Sequence, residues 1–246
     1  MYAPSEDSIR RLLPTIDYSE ALTVDATVQN VIDACAAGRR YGFRAVVAFP
    51  CYLEMVVREL ADSSVRAQLP VGFPSGAGTT AVKCREVEEG IEKGATDFDM
   101  VMNLGALKSK DYSRVLDDIV QVRKLVAPTG SPLKVIIEVG LLTEEEMVTA
   151  ATIVAESGAT HVKTCTGFAP GRATLHIIRL LRETLDDRVE IKASGGVASV
   201  DDGCAFLDAG ASVVAAVASA TPAVSNLRPI TSPIVGTFYR SPEPGS

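Results

Sequence analysis

Two lysines stand where lysine is a poor choice. His161-Val162-Lys163-Thr164-Cys165-Thr166-Gly167-Phe168 reads as a short strand running into a glycine-bearing loop. Glu190-Ile191-Lys192-Ala193-Ser194-Gly195-Gly196 repeats that form about one structural unit later. Lysine is a weak strand former and resists burial, so each strand-end lysine needs a chemical reason. On neighbouring strands, about 4.8 Å apart, both ammonium groups would point into one space. Each then disfavours protonation of the other, which is how a lysine becomes a nucleophile near neutral pH. With a carboxylate opposite, the set suits Schiff-base chemistry. One lysine attacks a carbonyl, the second keeps it deprotonated, and the carboxylate with bound water relays protons. The protonated imine withdraws electrons from the adjacent carbon, so a carbon–carbon bond can break or form without a metal. A single strand-end lysine is more often a solvated charge or an ion-pair partner; the matched pair is what points to catalysis.

The elements that must position these lysines follow a rhythm. Gly42, Gly94, Gly158 and Gly210 each close a helical pattern just before a strand, at spacings of 52, 64 and 52 residues, about two helix-plus-strand units per step. Strand patterns follow at 45–49, 98–102, 161–164 and 213–217, with others at 69–73, 133–138 and 189–193 and a first near 13–17. Between them, helical patterning covers 25–41, 52–62, 79–93, 112–126, 143–157, 173–184 and 200–209, and Thr143 with Glu146 has the form of a capping box. Seven helices alternating with eight strands predict a parallel (β/α)₈ barrel, a TIM barrel of the α/β class, over residues 1–228. A doubly wound open sheet is the alternative, but no Gly-x-Gly-x-x-Gly follows the first strand.

In such barrels the active site lies at the C-terminal ends of the strands. Polar residues expected there are Asp17, Asp99, Asn103, Glu138, Lys163, Thr166, Lys192 and Ser194. Asp97 and Asp99 share a parity, and an inward Asp99 on strand four would face the lysines across the barrel. His161 reads as outward-facing at the start of its strand, and with only His161 and His176 present no histidine metal site is expected.

Composition narrows the class. The 246 residues carry a net charge of −7 and are 47% hydrophobic and 22% charged, which excludes disordered and fibrous chains. No cationic run offers a nucleic-acid surface. The five cysteines form no Cys-x-x-Cys pair, the polar start 1–11 has no apolar leader core, and no apolar run reaches membrane length. The expectation is a soluble cytoplasmic protein with free thiols, acting on a small molecule, with neither cofactor nor metal. Barrels of this kind often pair, so a homodimer is the expected assembly.

The motifs resemble those of the deoxyribose-phosphate aldolases. Residues 162–168 are similar to their V-K-T-S-T-G-F segment, residues 192–196 to K-A-S-G-G, and residues 99–109 to D-M-V-x-N-x-G-A-L-K-S. Gly72-Phe73-Pro74 with Thr79-Thr80, and Lys134-Val135-Ile136-Ile137-Glu138, fit in family order, so the resemblance spans about residues 15–222. It implies a class I aldolase that reversibly cleaves 2-deoxy-D-ribose 5-phosphate to acetaldehyde and D-glyceraldehyde 3-phosphate, a step of deoxyribonucleotide catabolism. Lys163 would form the Schiff base, Lys192 would hold it in its nucleophilic form, and Asp99 would serve the proton relay. Asp17, Thr166, Gly195 and Gly196 would contact substrate.

The chain departs from that pattern at three strands. Ile16-Asp17-Tyr18-Ser19 replaces the family's I-D-H-T, and Ala48-Phe49-Pro50-Cys51-Tyr52 replaces V-N-P-S-Y. On strand eight Ala215-Ala216-Val217-Ala218 stands in place of the glycine–serine segment that binds phosphate, which implies altered phosphate recognition or a different acceptor, with a keto-acid or non-phosphorylated substrate as the alternative. Residues 229–246 read as an extended, non-barrel C-terminal tail. Within them Ser232–Pro242 is similar to the opening S-P-M-V-G-T-F-Y-R of a biotin carboxyl carrier domain, without the lysine that carries biotin. That likeness implies a former link to a biotin-dependent carboxylase, and a non-catalytic scaffold as a rival function.

Overall fold

The computed structural model describes residues 4–216, so the tail 229–246 and its biotinyl likeness lie outside the described residues. Eight parallel strands close into a barrel in sequence order. They are β1 (Ile16–Ala21), β2 (Ala45–Ala48), β3 (Arg66–Val71), β4 (Asp97–Val101), β5 (Leu133–Ile136), β6 (His161–Lys163), β7 (Glu190–Ala193) and β8 (Val213–Ala216). Around them run α1 (Glu6–Leu12), α2 (Val28–Tyr41), α3 (Leu53–Glu59), α4 (Thr80–Glu92), α5 (Leu104–Lys108), α6 (Tyr112–Val126), α7 (Glu144–Glu156), α8 (Leu175–Thr184) and α9 (Val200–Asp208). The expected TIM barrel is the observed fold, and β1 paired to β8 leaves no open edge.

Local chemistry sets the boundaries. Thr27 and Asn30 close a capping box at the start of α2, and Thr143 and Glu146 close the expected one at α7. The four rhythm glycines, 42, 94, 158 and 210, all leave their helices at positive φ. Two strands are displaced from their expected places. The first begins only at Ile16, because Leu13–Thr15, with Pro14 inside it, turns as a 3₁₀ helix. The third runs from Arg66 to Val71 and ends at Gly72, whose φ is +61°. Helices α1 and α5 were not foreseen. The first is capped by Ser5 and the second by Asn103, which accordingly caps a helix at the barrel mouth.

Strand parity divides the interior. Val46, Leu69, Phe98, Val135, Val162 and Ile191 point outward into one continuous core against the helices. The register pairs Gln68 with Asp97, Asp99 with Lys134, Ile136 with Lys163 and Lys163 with Lys192, so these residues share the inward face. A row of charged side chains therefore fills a barrel that apolar residues usually pack. No helix among the described residues is long and apolar enough to cross a membrane.

Candidate active site

The inward charges form one network. Asp99 Oδ2 accepts from Lys163 Nζ at 2.8 Å and from Lys192 Nζ at 2.7 Å, and its Oδ1 accepts from Gln68 Nε2 at 2.9 Å. The two strand-end lysines thus meet on one carboxylate oxygen, across the barrel from their own strands. Lys192 also lies 2.7 Å from Asp17 Oδ2 and 3.3 Å from Gln68 Oε1. Deeper in, Lys134 bonds Asp97 and lies 3.2 Å from Asp99 Oδ1 and 3.5 Å from Asp17 Oδ2. Arg44 closes the lower end, donating to Asp17 at 2.8 Å and Asp97 at 2.9 Å.

Apart from the half-buried Arg44 all of these groups are buried, and Lys163, at the mouth, is only 3% exposed. Burial opposes ionisation of Asp17 and Asp99. The cations Lys192, Lys134 and Arg44 around Asp17, and Lys134, Lys163 and Lys192 around Asp99, outweigh it and hold both carboxyls well below their usual range. The three aspartates lie close enough together to embrace a metal ion, but the protein's own ammonium groups stand among them.

The mouth is built by the loops after β5, β6 and β7. Glu138, left-handed at φ +52° and buried, receives the Thr166 N–H at 3.2 Å and the Thr166 hydroxyl. That contact fixes the loop that follows Lys163, and Glu138 makes it from a backbone conformation that is costly outside glycine. Thr166 is therefore tied to Glu138 at the mouth, and Gly195 and Gly196 form the turn after β7 at φ +82° and +81°. Ser194 uses its carbonyl to accept the Thr164 hydroxyl at 2.9 Å. Cys165 is buried and its thiol is pushed up to about 12, by burial first and then by the charge of Glu138. Behind β4, the buried Lys83 donates to the Val101 carbonyl at 3.0 Å and to Asp118 at 2.5 Å, pinning the strand end that carries Asp99.

His161 corrects the sequence reading. It is not outward-facing: it is 4% exposed and shares the inward parity of Lys163 two residues on, with Nδ1 2.7 Å from Thr160 Oγ1 and Nε2 3.0 Å from Glu190 Oε2. Lys134, Gln68 and Arg44 were missed as members of the site. The signal was available for Lys134, which lies in strand register with Asp99, but required pairing to be known.

A closed (β/α)₈ barrel with a lysine pair on one aspartate at its C-terminal mouth defines the Schiff-base aldolase class. No family model matches the chain. A deoxyribose-phosphate aldolase of Caldanaerobacter subterraneus subsp. tengcongensis is 39% identical over 198 residues, covering 80% of this chain and 85% of the relative. One from Staphylococcus carnosus is 43% identical over 181 residues, covering 74% and 81%. The tetrameric deoxyribose phosphate aldolase of Aeropyrum pernix matches with a TM-score of 0.77 at 27% identity, over 86% of this chain and 94% of that one. The chain belongs to the deoxyribose-phosphate aldolase family and is a carbon–carbon lyase.

Proposed function

We propose that this chain cleaves 2-deoxy-D-ribose 5-phosphate reversibly to acetaldehyde and D-glyceraldehyde 3-phosphate through an imine on Lys163. The observation that carries this reading is the meeting of Lys163 and Lys192 on Asp99 Oδ2. Charge balance selects the nucleophile. Arg44, Lys134, Lys163 and Lys192, with the more exposed Arg66 3.8 Å from Asp97, surround three carboxylates (Asp17, Asp97 and Asp99), so cations outnumber carboxylates in the cluster. Lys134 has three carboxylate neighbours and Lys192 two, whereas Lys163 has Asp99 alone. Lys163 is thus the lysine that loses least by becoming an amine, and it is the one nearest solvent.

The free amine attacks the substrate carbonyl carbon, and loss of water leaves a protonated imine. Asp99 stays beside that positive charge and stabilises it. The hydroxyl on the departing carbon gives up its proton as the imine draws the electrons of the breaking carbon–carbon bond, and the acceptor aldehyde leaves. The enamine left on Lys163 takes up a proton, and addition of water to the resulting imine releases acetaldehyde and restores the amine. Because Asp99 Oδ2 touches both lysines, it can pass protons between Lys163 and Lys192. Asp17 holds Lys192 in place; Thr166, Gly195 and Gly196 line the mouth where the sugar enters.

Assembly into a homodimer or larger homo-oligomer, and a cytoplasmic location, accompany this reading; the tetrameric Aeropyrum pernix relative supports the first. The scaffold reading rests on residues 232–242 alone and gains no support from the barrel relatives. Turnover of 2-deoxyribose 5-phosphate, followed by coupled reduction of the released triose phosphate, tests the proposal. Activity in the wild type that vanishes in Lys163→Ala supports it, and turnover that survives in Lys163→Ala contradicts it.

A further inference from the structure

Three aromatic side chains gather at the barrel mouth from three different loops. Phe49 follows β2, Phe73 follows β3 and Phe168 stands in the loop after β6. Their ring centroids lie 6.2 Å (Phe49 and Phe73), 5.1 Å (Phe73 and Phe168) and 6.4 Å (Phe49 and Phe168) apart, each pair edge-on. None of the three belongs to the hydrophobic core between barrel and helices, and Phe168 is 44% exposed. Apolar rings that cluster at a surface without serving the core call for another reason. Phe49 also stands where the family segment V-N-P-S-Y carries asparagine.

Strand order shows what the rings span. β2 lies four strands from β6, directly opposite in a closed barrel of eight, so Phe168 crosses the mouth to touch Phe49. Phe73 draws that crossing to the side of β3, β4 and β5, the side from which Asp99 reaches Lys163. The ends of β7, β8 and β1 lie outside the span. The Phe168 N–H donates to Thr166 Oγ1 at 3.0 Å, and Thr166 is tied in turn to Glu138. The crossing ring is therefore set by the loop that follows Lys163. Lys163 itself, whose ammonium meets Asp99 under the roofed half, is 3% exposed. The other half is left to admit the sugar.

We propose that Phe49, Phe73 and Phe168 are specificity-determining residues that admit a single substituent on the carbon next to the imine formed on Lys163. That carbon is bonded to the imine carbon itself, and so lies under the rings with the Lys163 nitrogen. In 2-deoxyribose 5-phosphate it bears hydrogens and one chain, which runs out through the unroofed half. A second substituent, whether a hydroxyl or a methyl group, is turned against the rings. A hydroxyl there loses water and faces only aromatic carbon, and a methyl group collides. The inference rests on the aldolase reading above and adds which carbonyl compounds the site refuses, those branched or hydroxylated at carbon 2.

The test follows adduct formation on Lys163 by cyanoborohydride trapping and peptide mass mapping, with acetaldehyde, propanal and 2-methylpropanal. Each rate is divided by that of the same aldehyde with a free lysine derivative, which removes its intrinsic reactivity. Propanal carries one methyl group on carbon 2 and 2-methylpropanal carries two. The wild type is expected to take propanal at least about tenfold faster than 2-methylpropanal, the discrimination that one misfitting methyl group gives. Phe168→Ala and Phe49→Asn should each abolish most of that preference. Phe168 is 44% exposed, so Phe168→Ala keeps the fold and carries the test should Phe49→Asn not fold. The same variants should raise kcat/KM for ribose 5-phosphate, relative to its 2-deoxy form, by about tenfold. With acetaldehyde trapped on Lys163, a wild type indifferent to the second methyl group, or a preference untouched in Phe168→Ala, overturns the assignment. No acetaldehyde adduct on wild-type Lys163 overturns the aldolase reading, and this inference with it.

Discussion

Replacing Asp99 by asparagine changes one atom and almost no volume, so its effects isolate charge and hydrogen-bond polarity. The carboxylate takes Lys163 at 2.8 Å and Lys192 at 2.7 Å on one oxygen, and Gln68 at 2.9 Å with Lys134 3.2 Å away on the other. An asparagine must turn its NH₂ toward one of these pairs. Whichever way it flips, donors face donors in a site closed to water. The cluster then loses one of the three carboxylates that its cations share. Removing one partner of a buried ion pair costs about 3–5 kcal/mol. For a domain of this size that lowers Tm by roughly 6–20 °C. Loss of the shared proton acceptor should reduce kcat by about 10²- to 10⁴-fold. Thermal unfolding followed by circular dichroism reads the first effect, and the coupled triose phosphate assay at saturating substrate, on refolding-competent protein at 25 °C, reads the second. A variant that melts within two degrees of wild type, or keeps a tenth of its kcat, would refute the central role given to this carboxylate.

Two further outcomes follow from the same geometry. Asp17 and Asp99 remain ionised in the folded chain well below the pH, about 4, at which the unfolded chain takes up protons. Their contribution is complete above that pH and is lost as pH falls below it, so urea midpoints should decline steadily from pH 4 to pH 3. His161, pushed down by burial, adds an earlier decline that begins near pH 6.5, and a flat profile from pH 7 to 3 would contradict both. Gly140→Ala places a methyl group against the Pro170 oxygen, which can yield only by moving the loop that carries Thr166 and Arg172. Displacement of about 1 Å near reacting groups costs up to 10²-fold, so kcat/KM should fall at least tenfold, and an unchanged value would show that this loop does not position the site.

The barrel was legible because its signals are local. Helix-ending glycines, the Thr143–Glu146 capping box and apolar strands each follow from a few neighbouring residues, and the helix bounds expected for α6 are the observed ones. The strand shifts arose where local chemistry was richer than hydropathy, at Pro14 and at Gly72. Lys163, Lys192 and Asp99 were legible because lysine at a strand end is rare enough to demand a reason. The lower half of the network was not. Lys134, Gln68 and Arg44 look like ordinary polar residues until strand register brings them onto the aspartates. His161 was misplaced because histidine suits a surface as readily as an interior, although its parity with Lys163 already put it inside. Phe49, Phe73 and Phe168 come from segments 24 and 95 residues apart, and only barrel closure shows that they meet.

The measurement that bears most directly on the account is reduction with borohydride in the presence of acetaldehyde, followed by peptide mapping. Lys163 is expected to carry a single ethyl group, with Lys134 and Lys192 unmodified because each is held by two or more carboxylates. An ethyl group on Lys192 or Lys134 instead, or no modified lysine in folded protein, would contradict the choice of Lys163 as the nucleophile.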